Sequence, residues 1–237
     1  MTIADSIAII PARGGSRRIP RKNIVDFQGK PLIAWSIAAA RDSGLFETVL
    51  VSTDDAEIAD VARAHGAVVP FLRRATGDDH SPVSLATIEA LEQFAAWRGR
   101  PASLVMQLLP TCPLRSAAHV QASLAAFSAG NSDFLLSCTD YGPLNPWWAI
   151  SIAADGTPRP LHPEAMTSRS QDLETVYCPS GAIWIARVPA LLAARSFYGP
   201  GHRFWPMDWR AAIDIDTPDD LALARALATL PEMRYSL

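Results

Sequence analysis

The sequence predicts an α/β fold in which a mostly parallel sheet is covered by helices on both faces. Three observations carry that prediction. Short apolar β runs alternate with helix-period segments along most of the chain. The runs are apolar throughout instead of alternating with polar residues, the pattern of strands buried on both faces. And the order strand–helix–strand repeats in the way that parallel crossovers require.

In chain order, Ile7–Ile10 is the first strand, and Leu32–Ser43 a helix with Ile33, Ile37 and Ala40 on one face. Thr48–Ser52 is a strand, Asp55–His65 a helix closed by Gly66, and Val68–Phe71 a third short strand. Ser84–Trp97 is a helix, Leu104–Leu109 a strand, Ala117–Ala129 a helix and Phe134–Cys138 a strand. Regular structure then lapses from Asp140 to about Gln171. Prolines 143, 146, 158, 160 and 163 break the periodicity there, and Trp147-Trp148 adds a large aromatic surface. That segment, about 140–171, is expected to be a small inserted arm. Gly181–Ala186 and Ala212–Asp216 are the last strands, and a helix runs from Pro218 to about Leu230. With 237 residues the whole, 1–237, suits one domain carrying one arm.

Composition narrows the function classes. Hydrophobic content is 49%, charged content 19% and net charge -3, which excludes a disordered chain and a general nucleic-acid binder. No apolar run has the length of a membrane span, and no signal-peptide pattern opens the chain, so a cytoplasmic protein is expected. The 3 cysteines (112, 138, 178) are far apart with no C-x-x-C, and the 5 histidines show no ligand spacing.

Against that balance, the residues after the first strand stand out. Ile9–Lys30 runs from an apolar strand into Gly14-Gly15, and Arg13, Arg17, Arg18, Arg21 and Lys22 follow closely. Paired glycines let backbone N–H groups approach an anion, and Arg and Lys neutralise several negative charges at once. A triphosphate is the ligand this turn suits. Neither G-x-x-x-x-G-K-[ST] nor a helix-opening G-x-G-x-x-G is present, and Pro20 stops a helix from starting at Ser16. In parallel sheets ligands lie beyond the carboxyl ends of strands, where this loop and the Thr53-Asp54-Asp55 turn both fall.

The second chemical signal is Asp214 and Asp216. In a strand they share a face while Ile213 and Ile215 pack the other. Two carboxylates repel unless a cation joins them, and hard oxygen donors suit Mg²⁺. Thr217 and Pro218 instead carry the start of the last helix.

With these residues assembled, the chain resembles the acylneuraminate cytidylyltransferase family, the CMP-sialic acid synthetases and their pseudaminic and legionaminic acid relatives. The likeness covers nearly the whole length. It rests on Ile10-Pro-Ala-Arg-Gly-Gly-Ser-Arg-Arg-Ile-Pro-Arg-Lys-Asn23 and Ile213-Asp-Ile-Asp-Thr217. Between them lie Gly29–Ile33, Val51–Ala59, Gly66–Arg73, Leu109–Arg115, Asn145–Trp148, Arg169–Leu173 and Gly181–Ile183.

The resemblance implies a Rossmann-like nucleotidyltransferase sheet with an inserted dimerisation arm. It implies a reaction in which the anomeric hydroxyl of a 2-keto sugar acid attacks the α-phosphate of CTP and releases pyrophosphate. It places the nucleotide on Ala12, Arg13, Gly14, Gly15, Ser16, Arg17, Lys22, Asn23 and Arg73, with Asn23 and Arg73 toward the cytidine. Arg13, Lys22 and Asp214 become the catalytic residues, and Asp214 and Asp216 the Mg²⁺ ligands. The sugar acid falls to Gln107, Arg169, Gln171 and Tyr177, where a guanidinium suits a carboxylate.

The chain departs from the family in Ser16-Arg17 for Ser-Lys, Leu109 for glutamine, Ser180 for asparagine, and Leu173-Glu174 for Leu-Pro. The last three surround the acceptor pocket and bear on which nonulosonic acid is used. Rival readings are a Kdo cytidylyltransferase, against which Pro20-Arg21-Lys22-Asn23 stands in place of Pro-Gly-Lys, and a molybdopterin nucleotidylyltransferase. A non-catalytic CTP- or CMP-sugar-binding regulator is the alternative from another class.

Overall fold

Strand β1 (Ser6–Pro11) is buried along its whole length, with Ile7 and Ile9 facing one side of the sheet and Ala8 and Ile10 the other. That double burial is why its sequence is apolar without alternation. A short hairpin, β2 (Asp26–Phe27) and β3 (Lys30–Pro31), leads into α1 (Leu32–Asp42). Then come β4 (Thr48–Ser52), α2 (Ala56–Ala64), α3 (Val83–Arg98), β5 (Leu104–Gln107), α4 (Ala117–Ala129) and β6 (Phe134–Asp140). The arm carries a second hairpin, β7 (Ile150–Ile152) with β8 (Pro158–Pro160). The chain closes through β9 (Tyr177–Arg187), α5 (Val188–Ala194), β10 (Arg203–Pro206) and α6 (Pro218–Leu227). This computed structural model describes residues 4–73, 82–142 and 144–230, so His80 and Pro143 of the sequence argument lie outside the described residues.

Six strands form the main sheet in the order β10-β6-β9-β5-β1-β4. β1 pairs in parallel with β4 and β5, and β10 in parallel with β6; β9 runs antiparallel to both β5 and β6. On one face α3 and α5 supply Ile88, Leu91, Phe94 and Leu191 against Ile7, Ile9, Val105 and Phe134. On the other, α1, α2 and α4 supply Ile33, Ile37, Ile58, Val120 and Leu124 against Ala8, Ile10, Val51 and Met106. A third, smaller core joins Ile19, Phe27, Leu32, Ile215, Leu221 and Ala224. It matters for function because it pins the basic loop, through Ile19, against the acid-bearing segment, through Ile215.

Two expected strands are corrected. Val68–Phe71 contributes only an isolated parallel bridge from Val68 to Leu50; Pro70 has no N–H with which to extend a ladder. Ala212–Asp216 is not a strand. A turn (Ala212 N–H to Asp208 O, 3.2 Å; Ile213 N–H to Arg210 O, 3.3 Å) delivers it, and Ile215 N–H donates to Thr111 O at 2.9 Å. The expected alternation survives without the ladder, because Ile215 is buried while Asp214 and Asp216 are exposed. Sequence periodicity also passes over α5 and β10. The latter is a four-residue edge strand of mixed polarity that, among the described residues, pairs with β6 alone.

Candidate active site

The site is built at the carboxyl end of β1. Ala12 N–H donates to Ser52 O at 2.9 Å, so the chain leaves the sheet alongside the end of β4. Gly14 then passes so close to the β4–α2 turn that a Cβ there would sit 2.6 Å from Asp55 Oδ2. Its N–H donates to Asp54 Oδ1 at 2.9 Å. Close approach is thus the reason for this glycine; a Cβ on Gly15 would meet open space.

Arg21 sits in the left-handed region at φ 56. Its guanidinium forks onto Asp55 (2.7 and 3.0 Å) and reaches Glu57. Asp55 is at the same time the N-cap of α2, accepting from Ile58 N–H at 3.0 Å. Burial pushes the Asp55 carboxyl up, but the Arg21 fork and the helix N–H groups outweigh it and hold the group below the usual range. One of the five loop cations is therefore a structural clamp and not a phosphate ligand.

The others face a cleft of about 500 Å³. Arg13, Ser16, Arg17, Arg18, Lys22, Asn23 and Arg73 line it together with Asp216, and Ile19, Val83, Ala86, Leu109 and Pro110 supply an apolar side. Asn23 is buried and donates Nδ2 to Arg13 O at 2.8 Å, fixing the loop backbone at its centre. Arg73 is 5% exposed. It donates to Ser52 O at 3.2 Å, and its Nε has no hydrogen-bond partner among the described residues. Burial lowers its pKa, against the pull of Asp54 and Glu89. A buried cation with an unused donor on a cleft wall favours an anionic or carbonyl-bearing ligand.

The carboxylates close the other side. Lys22 Nζ donates to Asp216 Oδ1 at 2.7 Å, and Arg18 reaches Asp216 Oδ2 at 3.1 Å. These contacts, Lys22 first, hold the Asp216 carboxyl below its ordinary value. Asp214 differs. Solvent touches it, but the crowding of protein around it pushes its pKa up, and Asp216 adds to the rise; the Thr111 hydroxyl opposes both. An Asp216 side chain 55% exposed makes its ion pairs worth about 1 kcal/mol or less. A polyanion with its own cation could displace them at small cost.

The remaining candidates lie elsewhere. Gln107 is fully buried on β5 and accepts from Thr87 Oγ1 at 2.6 Å, and its Nε2 has no hydrogen-bond partner among the described residues. Arg169 is exposed on the arm and forks onto Asp172 at 2.8 and 3.3 Å; neither it nor exposed Gln171 lines the cleft. Tyr177 lines a separate cavity of about 220 Å³ with Cys138, Pro179, Phe204 and Pro206. Sequence reasoning missed the roles of Arg18, Thr111 and the Asp54–Asp55 pair. The last was findable, since the turn after β4 lies at the same strand ends as the loop.

Comparison with known proteins agrees with this geometry. The family model described as Cytidylyltransferase matches residues 7–141, more than half of the chain. The pseudaminic acid cytidylyltransferase of Campylobacter jejuni is 35% identical over 224 residues, covering 94% of this chain and 95% of the relative. The CMP-N,N'-diacetyllegionaminic acid synthase of Legionella pneumophila is 36% identical over 234 residues, covering 94% and 96%. Among solved structures, a CMP:2-keto-3-deoxy-manno-octonic acid synthetase complexed with CTP shares the fold. Its TM-score is 0.70 at 18% identity, over 94% of this chain and 98% of that one. A basic loop and Asp216 facing one cleft, a family model over more than half of the chain and relatives of this kind over nearly their full length place the chain in the cytidylyltransferase family as a nucleotidyltransferase enzyme.

Proposed function

We propose that the chain transfers CMP from CTP to the anomeric hydroxyl of a sialic-acid-like 2-keto sugar acid, releasing pyrophosphate. The observation that carries the reading is the cleft itself, which Arg13, Arg17, Arg18, Lys22 and Arg73 line together with Asp216, two residues from Asp214. Cationic donors held in place before the substrate arrives stabilise charge that develops on transferring phosphates. In this reading Arg13, Ser16, Arg17 and Lys22 hold the phosphates, Asn23 and Arg73 the cytidine. Ala12, Gly14 and Gly15 set the path of the loop.

Asp214 and Asp216 fit a hard divalent cation. Both offer the carboxylate oxygens that such an ion prefers, and they stand two residues apart beside the cleft that Asp216 lines. Bound there, Mg²⁺ would supply Lewis-acid neutralisation of the phosphates and the departing pyrophosphate. Lys22 and Arg18, released from Asp216, would then turn to the phosphate oxygens. The acceptor belongs to the nonulosonic acids that the relatives' names describe.

The arm of this single nucleotidyltransferase unit is proposed to pack on a second copy and to complete that copy's sugar site with Arg169 and Gln171. Leu144, Ile152 and Leu161 are 79%, 69% and 58% exposed on it, more apolar surface than a small hairpin leaves in water without a partner. No helix among the described residues is long and apolar enough to cross a membrane, and the chain is proposed to work in the cytoplasm.

The test is a pyrophosphate-release screen of all four NTPs against a panel of 2-keto sugar acids with Mg²⁺. Release with CTP and a nine-carbon acid supports the reading. Release with Kdo instead would move the chain to the Kdo enzymes, and tight CTP binding with no release under any pairing would leave a binding protein.

A further inference from the structure

Beneath the cleft lies a cation that reaches no ligand. Arg115 is 2% exposed, and among the described residues its hydrogen bonds go to neutral oxygens. Nη1 donates to Ala182 O at 2.6 Å and Leu109 O at 3.3 Å, and Nη2 donates to Ser36 Oγ at 2.6 Å. Ser36 Oγ in turn donates to Leu109 O at 3.0 Å, so the Leu109 carbonyl takes two donors from one network. Nε has no partner among the described residues. Burial brings the pKa down to about 10, which still leaves the group charged at neutral pH. A buried guanidinium whose hydrogen bonds go to neutral oxygens, with the Asp214 carboxylate acting on it from farther off, is a costly way to tie down a loop. Its cost points to a role beyond packing.

That role is visible in what the tied loop touches. Leu109 and Pro110 form the apolar side of the cleft, and Thr111 lines it too. The Leu109 side chain fills the notch left by Gly181, where an added Cβ would stand 2.2 Å from Leu109 Cδ1. The Thr111 carbonyl accepts from Ile215 N–H at 2.9 Å, next to Asp214, and the Thr111 side chain favours the charged form of the Asp214 carboxyl. The short stretch 109–111 thus spans from Arg115 on one side to the acid-bearing segment 213–216 on the other. Sequence reading gives Arg115 no role beyond ending a motif.

We propose that Arg115 is a positioning residue for the nucleotidyl-transfer site, fixing the 109–111 wall so that Thr111 holds Asp214 in place to receive a divalent cation. The proposal rests on the reading of Asp214 as a cation ligand. Arg115 touches no substrate in this role. It acts through the Leu109 carbonyl and Thr111, much as outer partners orient a metal ligand in other sites.

The experiment measures CTP binding by calorimetry in EDTA and across a Mg²⁺ series, giving each variant an apparent Mg²⁺ dissociation constant beside its thermal midpoint. Arg115→Lys keeps the charge and loses the fork. The expected result is an apparent Mg²⁺ affinity weaker by about 10-fold or more, with CTP affinity in EDTA within about twofold of wild type. Thr111→Val, which keeps shape and drops the hydroxyl, is expected to reproduce the Mg²⁺ shift even if the Arg115 variant folds poorly. In Asp214→Asn, adding Arg115→Lys should change little further, the non-additivity of residues acting through one path. A folded Arg115→Lys with wild-type Mg²⁺ affinity, or a Thr111→Val variant indistinguishable from wild type, overturns the proposal. So does an equal loss of CTP affinity with and without Mg²⁺. Absence of pyrophosphate release by the wild type would instead count against the proposed reaction, while these binding ratios would still judge Arg115.

Discussion

The basic-loop region, residues 12–23 with the Thr53–Asp55 turn, and the arm with the residues that follow it, 140–176, solve opposite problems. In the loop, charge is answered within the chain: Arg21 by Asp55 and Glu57, Lys22 and Arg18 by Asp216, the Gly14 N–H by Asp54. A small core anchored by Ile19 and Ile215 sits behind it. In the arm, the tryptophans serve the arm's own turns. Trp147 Nε1 donates to Glu174 O at 2.8 Å and Trp148 Nε1 to Ala165 O at 3.0 Å. Its hairpin is exposed at every position, and among the described residues Arg169 pairs with Asp172. One region is preorganised for a ligand by its own fold. The other keeps its shape locally and leaves its faces for something else to cover, which is why the proposed nucleotide residues converge on one cleft while Arg169 and Gln171 stay outside it.

The sharpest way to break this contrast is to remove an acid from the preorganised half. Asp216→Asn should lower kcat by about 10²-fold or more, since charge stabilisation of a transferring phosphoryl group is worth several kcal/mol. Near-wild-type turnover at low Mg²⁺ would take the carboxylate pair out of the mechanism. Lys22→Ala should follow, lowering kcat and kcat/KM together by about 10²-fold, because the lysine is assigned to charge that grows in the transition state. A rise confined to the KM for CTP would reduce it to a ground-state contact.

Perturbing the arm should give a smaller and differently distributed effect. Arg169→Lys is expected to weaken sugar binding by roughly 1.5–3 kcal/mol while leaving the KM for CTP unchanged. Asp172→Ala is the control. The Arg169–Asp172 pair is on the surface and worth at most about 1 kcal/mol, so if that pair were the whole function of Arg169, the two variants would behave alike. Ile152→Asp, at the exposed tip of the hairpin, should shift the particle from dimer toward monomer in light scattering and carry the sugar KM with it. A fully active monomeric wild type at micromolar concentration would sink the idea that the arm completes a partner's site.

How far these regions were legible in the sequence follows the same divide. β1, β4 and α4 matched expectation nearly residue for residue, because buried parallel strands and capped helices leave strong local signals. The loop cations were legible as a group. Their division of labour was not, since only the fold shows that Arg21 meets the α2 N-cap and that Lys22 meets Asp216, 194 positions away in sequence. The Asp214–Asp216 pair was read correctly as sharing a side but on the wrong element. Alternation is visible in sequence, and a missing ladder partner is not. β9 was seen only in its apolar half, because its first residues pair with the far end of β6 across a register shift. Gln107, a sugar-site candidate from the family resemblance, lies fully buried against Thr87, a pairing that no local pattern announces.

The smallest effect tests whether the loop's order is electrostatic. Asp55→Asn keeps an oxygen to cap α2 but removes the charge that holds Arg21, itself in a left-handed conformation that costs a non-glycine residue energy. With the Arg21 side chain 40% exposed, the fork is screened, and the loss should be about 1 kcal/mol or less. For a chain of this size that is a fall in Tm of about 2–4 °C at neutral pH. The pH dependence fixes the cause. Asp55 has a lowered pKa in the fold, so its contribution is present above the unfolded value of about 3.9 and fades as pH falls through the lower folded value. The gap in Tm between wild type and Asp55→Asn should therefore hold from pH 7 to about pH 5 and close progressively below pH 4. A gap that is the same at pH 3 as at pH 7 would mean that shape, and not charge, keeps the basic loop against the α2 turn.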